Sequence, residues 1–148
     1  MTKDYDIANA WALALEDDLG LAAFCTQRFG KAPQVMLGVG SGKNPLGEAD
    51  APYIMVIPLR NQDGFEEQTA RPEIIVSFGL VDTTRETFGT NGTKARGYES
   101  IKLFEELVLA VLAATDFAPS RWEGENDQPG KHFFIRHIRY ECDIPNTI

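Results

Sequence analysis

The segment closest to a chemical motif is the glycine-rich stretch 38–47, GVGSGKNPLG. A phosphate-binding Walker A loop needs a first glycine and, after Gly-Lys, a Ser or Thr that holds magnesium. Here Leu37 occupies the first position and Asn44 follows Lys43. The dinucleotide pattern GxGxxG also fails, because Lys43 stands where its third glycine belongs. We therefore predict a flexible or interface loop, with Lys43 as a contact residue and no nucleotide cofactor.

The two histidines are poorly spaced for a metal site. His132 and His137 lie five residues apart in one predicted strand, and side chains at odd separations point to opposite faces of a strand. His137 and Cys142 differ in parity in the same way. The spacing therefore predicts ordinary histidines and no metal.

The nucleophile candidates lack partners in sequence. Cys25 has Arg28 three residues later but no histidine nearby, and Ser77 has no nucleophile-elbow context. Cys25 and Cys142 are predicted to be small buried apolar residues; a disulfide is the minor alternative, because cytoplasmic thiols stay reduced.

The carboxylates do not form an obvious acid/base pair either. Glu105 and Glu106 are helix neighbours that point about 100° apart. Glu123, Glu125 and Asp127 fall in a segment predicted to be a solvated loop. Together these patterns predict a protein that is not an enzyme.

Composition limits the class of protein. The chain has 148 residues, so we expect a single domain, 1–148, with its own core. The net charge of -8 argues against a free nucleic-acid binder, whose footprint is normally basic. No apolar run approaches the roughly 20 residues of a membrane span, and the N-terminus lacks signal-peptide features. We expect a soluble protein of the cytoplasm with no membrane partner.

The N-terminal half predicts helix followed by strands. Apolar residues recur every four positions from residue 4 to about 18, as Ile7, Trp11, Leu15 and Leu19, which indicates one helix stripe. A short further helical turn is predicted at 21–29, ended by Gly30. Strands are predicted at 34–39, 53–59 and 73–81, and the segment 60–72 is predicted to be an exposed connection.

The C-terminal half predicts loops around one helix and one strand. Residues 82–97 and 116–130 lack a strong apolar period and are predicted to be long loops. A helix is predicted at 98–114, and its half 107–114 has no polar side chain, so either the domain wraps it completely or another subunit covers it. A long strand is predicted at 131–144, with Arg136 interrupting its apolar face.

This order of elements predicts an α+β fold. We expect a mostly antiparallel or mixed sheet of about four strands, with two main helices packed on one face.

The pattern resembles the tail terminator, or tail-completion, proteins of tailed phages, the group that includes the lambda-type minor tail protein U. The likeness rests on DDLGL at the end of the first helix, on the strands PYIMVIPL, EIIVSFGL and IRHIRYECDIP, and on the helix GYESIKLFEELVLAVLAA. It covers nearly the whole chain through element order and hydrophobic pattern.

The resemblance implies a structural protein of phage or prophage tail assembly. Such a protein forms a hexameric ring, caps the tail-tube protein, stops its polymerisation and presents a surface to a head-completion or connector protein. DNA would pass through the ring only as cargo. The implied locations are the host cytoplasm during assembly and then the virion tail. The interface residues expected on this basis are Lys43, Arg85, Phe88, Lys94, Arg96, Leu107 and Val111.

Three other functions fit the same sequence. One is a head–tail connector or neck protein of the same particle. A second is a small enzyme or ligand-binding domain that uses the loops as a pocket. A third is an immunity-type inhibitor, since an acidic small domain can attract a basic toxin.

Overall fold

The computed structural model describes residues 3–38, 46–60 and 69–145. There are three α-helices, α1 (Asp4–Asp17), α2 (Leu19–Phe29) and α3 (Gly97–Ala113), and a short 3-10 helix, Glu48–Asp50, in this part of the chain. Its strands are β1 (Gln34–Leu37), β2 (Tyr53–Arg60), β3 (Thr69–Ala70), β4 (Glu73–Val81), β5 (Arg85–Phe88), β6 (Gly92–Ala95), β7 (Arg121–Gly130), β8 (Phe133–Glu141) and β9 (Ile144–Pro145).

Five strands form the main sheet in the order β1-β2-β4-β8-β7. The β1–β2 pair is parallel and the other three pairs are antiparallel. Two separate pairs, β3–β9 and β5–β6, complete the described strands. The predicted α+β class and mixed sheet are confirmed, with one more main strand and one more helix than expected.

The central strand β4 separates two apolar layers. Ile74, Val76, Phe78 and Leu80 alternate along it and are completely buried. They face the three helices, as the period-2 pattern predicted. The ring of Phe78 stacks on Phe104 of α3, with centroids 4.9 Å apart and planes 4° from parallel. This stack joins the middle of the sheet to the middle of α3.

The N-terminal helices differ from the single predicted stripe at one residue. Ile7, Trp11 and Leu15 are buried, but Leu19 is 84% exposed, so its assignment to the apolar stripe was wrong. The reason is that α1 ends at Asp17 and α2 begins at Leu19, with the Asp18 side chain accepting a hydrogen bond from the Leu21 amide at 2.8 Å. The chain therefore changes direction before the stripe reaches Leu19.

The opposite face of the sheet holds a smaller apolar cluster. Tyr53 and Met55 of β2 meet Phe133 and Ile135 of β8 there. Gly79 lies between them on β4, and a Cβ at this position would come within 2.6 Å of the Tyr53 ring. Glycine is therefore needed for the Tyr53 side chain to cross β4.

Two segments predicted to be loops contain strands. Residues 82–97 include the hairpin β5–β6, and residues 116–130 include all of β7. Both predictions were wrong for the same reason. These strands have almost no buried side chains, so their sequences lack the apolar alternation that marks a half-buried strand.

The predictions for the two cysteines and for the faces of β8 are confirmed, whereas two others fall mainly on residues that the structure does not describe. Cys25 and Cys142 are buried free thiols, as predicted, and burial raises the pKa of each to about 12. The alternating faces of β8 are confirmed, with Arg136 on the helix side. Lys43 lies outside the described residues, as does most of the predicted connection 60–72.

Replacing Phe104 with alanine removes one partner of the central aromatic stack. We expect Phe104→Ala to lower the free energy of unfolding by about 3–5 kcal/mol, because the cavity lies between α3 and β4. Urea denaturation followed by circular dichroism measures this change. The control Lys102→Ala removes a side chain that is 76% exposed on the same helix and is expected to shift stability by about 0.5 kcal/mol or less. Equal losses for both variants would contradict the central role of the stack.

Candidate protein interface

The β5–β6 hairpin has an exposed surface on both of its faces. Its strands pair only with each other among the described strands, and every side chain of β5 is exposed. The connection runs through residues 89–91, with Gly89 at a φ of 62°. Phe88 is 56% exposed near this tip. A two-stranded hairpin gains little stability by itself, so its position depends on how its base is held.

Phe88 has a local partner within the hairpin. It lies opposite Gly92, and a Cβ on Gly92 would come 2.7 Å from the Phe88 ring. The ring therefore lies over the glycine backbone, an arrangement by which an aromatic side chain covers a strand glycine. One face of the Phe88 ring covers Gly92, and the rest of the ring is exposed to solvent.

A buried carboxylate fixes the base of the hairpin. Asp82 accepts bonds from Arg96 Nε at 2.8 Å and Arg96 Nη2 at 3.1 Å. It also accepts from the Ser100 hydroxyl at 2.6 Å and the Thr84 amide at 3.0 Å. Arg28 Nη1 donates to Ser100 Oγ at 3.0 Å, which connects α2 to the same network. We call Asp82, Arg96, Ser100 and Arg28 the hairpin anchor.

The anchor sets the protonation state of Asp82. Desolvation by burial acts to raise its pKa, but the hydrogen bonds from Arg96, Ser100 and Thr84 act more strongly in the other direction. The net result is a pKa below the ordinary value of 3.8, so the side chain stays ionised at neutral pH. Its hydrogen bond in turn raises the pKa of Arg96. The base of the hairpin is thus held by a bidentate, charge-assisted contact between Arg96 and Asp82.

Four of the predicted contact residues lie on the hairpin or at its base. Arg85, Phe88 and Lys94 lie together on the hairpin, and Lys94 approaches Glu99 of α3 at 3.8 Å. Arg96 belongs to the anchor and is 24% exposed, so its main contacts are within the chain. Sequence reasoning missed Asp82, Ser100 and Arg28. The sequence Asp82-Thr83-Thr84 after β4 could have indicated a turn at Asp82, because an Asp side chain often accepts a hydrogen bond from the amide two residues later in the chain.

Leu107 and Val111 lie on a different surface. Both are half-buried on α3 and line a groove of about 510 Å³ beside the end of α1. Ala110 and Ala114 also line this groove and are exposed. Within the described residues, the domain therefore does not wrap the half-helix 107–114 completely, so that alternative was wrong. The groove is apolar, with Asp17 and Asp18 at its rim.

The outer strand β7 forms an acidic edge. It is the last strand of the main sheet, and its side chains from Arg121 to Pro129 are exposed. Glu123, Glu125 and Asp127 project from one face, and Trp122 projects from the other with 46% exposure. The neighbouring strand contributes Arg139, which pairs with Glu123. An unpaired strand edge offers backbone donors and acceptors to another chain.

The Ser77–His137 pair lies on the face of the sheet opposite the helices. Ser77 Oγ and His137 Nδ1 are hydrogen-bonded at 2.7 Å across β4 and β8. The serine is 1% exposed, so its hydroxyl is not presented to a substrate in solution. A shallow groove of about 410 Å³ passes over His137, lined also by Ile75, Glu125 and Arg139. The pair acts as a polar cross-strand link.

Residues 3–38, 46–60 and 69–145 contain no group of three or more His, Cys, Asp or Glu placed to hold a metal ion. In these same ranges no helix is both long enough and apolar enough to cross a membrane.

Comparisons with known proteins give no family for this chain. No protein-family model matches it, and no curated protein matches it.

The anchor predicts a pH-dependent contribution to stability. Asp82→Asn is expected to lower the free energy of unfolding by about 1–3 kcal/mol at pH 7, because Arg96 and Ser100 lose their charged acceptor. The pKa of Asp82 is lower in the folded protein than the ordinary value of 3.8. The stability that ionised Asp82 contributes is therefore fully present above pH 3.8, and it is lost as the pH falls through the pKa of the folded state. The difference in free energy of unfolding between wild type and Asp82→Asn should therefore become smaller below about pH 4.

Urea denaturation at several pH values measures this gap. The matched control is Asp127→Asn, which removes an exposed carboxylate from β7 and should change stability by about 0.5 kcal/mol or less. A gap that is absent at pH 7, or that widens in acid, would show that Asp82 is not the anchor.

Proposed function

We propose that this protein is a structural subunit of phage or prophage tail assembly, which forms a ring, caps the tail tube, stops its polymerisation and helps join the tail to the head. The observation that carries the proposal is the β5–β6 hairpin, which presents Phe88 and flanking charges on an arm whose base is held by the Asp82–Arg96 contact. An assembly subunit binds its neighbours through such surface contacts, which the symmetry of the assembly repeats in every copy.

Three features support this function. The α+β architecture, with helices on one face of the sheet, is the one that the tail-terminator resemblance implies. The hairpin, with Phe88 and Lys94 on one face and Arg85 on the other, provides one contact region, and the groove beside Leu107 and Val111 provides a second. Two distinct contact surfaces allow each subunit to bind both its neighbour and the tube.

The charge of the chain fits passage of DNA through the ring. A net charge of -8 repels the phosphate backbone, so DNA would move through as cargo without binding. The partners in this proposal are other copies of the chain in a hexameric ring, the tail-tube protein, and a head-completion or connector protein.

The direct test mixes the purified protein with tail-tube subunits from the same genome and images the product by electron microscopy. We expect rings at one end of tubes whose elongation has stopped. Phe88→Ala should raise the concentration needed for half-maximal arrest by about tenfold or more, because truncation of a central aromatic contact commonly costs about 2 kcal/mol or more.

The control for this test is Lys102→Ala, which alters an exposed side chain of α3 away from the hairpin. Arg96→Ala is a poor contact variant, since it also breaks the anchor. Tubes that grow unchanged in the presence of wild-type protein would reject the tail-terminator function. Binding to the head connector with no effect on tubes would instead favour a neck protein.

A further inference from the structure

Strand β5 of the hairpin and strand β7 of the acidic edge have complementary sequences along their exposed edges. Strand β5 reads Arg-Glu-Thr-Phe from Arg85 to Phe88, and its outer edge has no strand beside it among the described residues. Strand β7 reads Trp-Glu-Gly-Glu from Trp122 to Glu125, and its outer edge is likewise without a strand among those residues. Two such edges can join by backbone hydrogen bonding.

We propose that β5 of one copy adds in antiparallel orientation to β7 of the next copy, with Arg85 opposite Glu125 and Phe88 opposite Trp122. The proposal rests on the ring assembly described above and names the contact that would build it. The occupant of the acidic edge is thus a second copy of this chain.

The register follows from one pair. If Arg85 lies opposite Glu125, antiparallel pairing places Phe88 opposite Trp122, since both pairs are separated by three residues along their strands. Three is an odd number, so the charged pair lies on one face of the joint sheet and the aromatic pair on the other. Phe88 and Trp122 are both about half exposed, so each has ring surface left to bury.

The two middle positions also fit. Thr87 would lie opposite Glu123, and Glu86 would lie opposite Gly124. Gly124 has no side chain, and the guanidinium Nη2 of Arg136 lies 2.9 Å from where its Cβ would be. The carboxylate of Glu86 would therefore face a cation rather than another side chain of β7. A cross-strand pair of opposite charges is favourable, and like charges directly opposite are unfavourable.

Other pairings satisfy fewer of these contacts. Antiparallel registers with Arg85 opposite Asp127 place Phe88 opposite Gly124, and a parallel register with Arg85 opposite Glu123 places Phe88 opposite Asn126. Two β7 edges joined to each other would bring their acidic rows together. The sequence of β7 thus opposes a symmetric edge-to-edge dimer and favours a head-to-tail contact, the kind from which rings are built.

Charge exchange tests the contact without any tube protein present. Arg85→Glu and Glu125→Arg are each expected to weaken self-association by about tenfold or more in sedimentation experiments, because each places like charges opposite one another. An equimolar mixture of the two variants should regain wild-type association, since alternating copies restore opposite charges at every contact. Lys102→Glu, an equal charge change on α3, should associate like wild type. The thermal midpoint of each variant checks that it is folded.

Cysteine pairing tests the register. Copies carrying Thr87→Cys mixed with copies carrying Glu123→Cys should form a disulfide-linked dimer under mild oxidation. The native thiols do not interfere, because Cys25 and Cys142 are buried. Asp127→Cys in place of Glu123→Cys lies four residues further along β7, about 13 Å away, and should not cross-link.

The outcomes separate this contact from the proposed function. Wild type that stays monomeric, single variants that associate like wild type, or a mixture no better than its components would overturn the contact. Restored association in the mixture with no arrest of tubes would uphold the contact and reject the tail-terminator function. Arrest of tubes by both charge variants would uphold that function and reject the contact.

Discussion

The charged contact between Asp82 and Arg96 determines where the projecting part of the molecule lies. Asp82 is the first residue after the central strand, and Arg96 directly precedes α3, so their contact closes the segment between them into an arm with a fixed base. Breaking a buried ion pair leaves a charge without a partner, which is far more costly than losing an exposed pair. The anchor therefore gives an otherwise marginal hairpin a defined direction.

The main sheet provides the platform for this arm. Its helix side is filled by the core around Phe78 and Phe104, and part of its other side by the cluster around Tyr53 and Phe133. These packed layers leave β7 as an outer strand whose charged face meets solvent. The anchor connects the arm to the main sheet that contains β7, so a contact between arm and edge in neighbouring copies would set the angle between copies.

The sequence predicted the elements that have a buried face. The alternation of Ile74, Val76 and Phe78 identified β4 and its helix side, because burial of every second residue leaves a period of two. The same rule could not find β7, where Trp122 is the only large apolar residue and pairing comes from the backbone. The hairpin was missed for this reason too, although Asn91-Gly92 is a common hairpin-turn signal. The anchor joins residues 28, 82, 96 and 100, and no local pattern reports such distant contacts.

Hydrogen exchange measured by mass spectrometry on the free and tube-bound protein tests the assembly function most directly. We predict that amides of β5 and β7 exchange more slowly once rings cap the tubes, while those of β4, already central in the sheet, change little. Unchanged exchange in both β5 and β7, in protein shown to be bound to tubes, would contradict the claim that the anchored hairpin and the acidic edge are the surfaces through which this protein assembles.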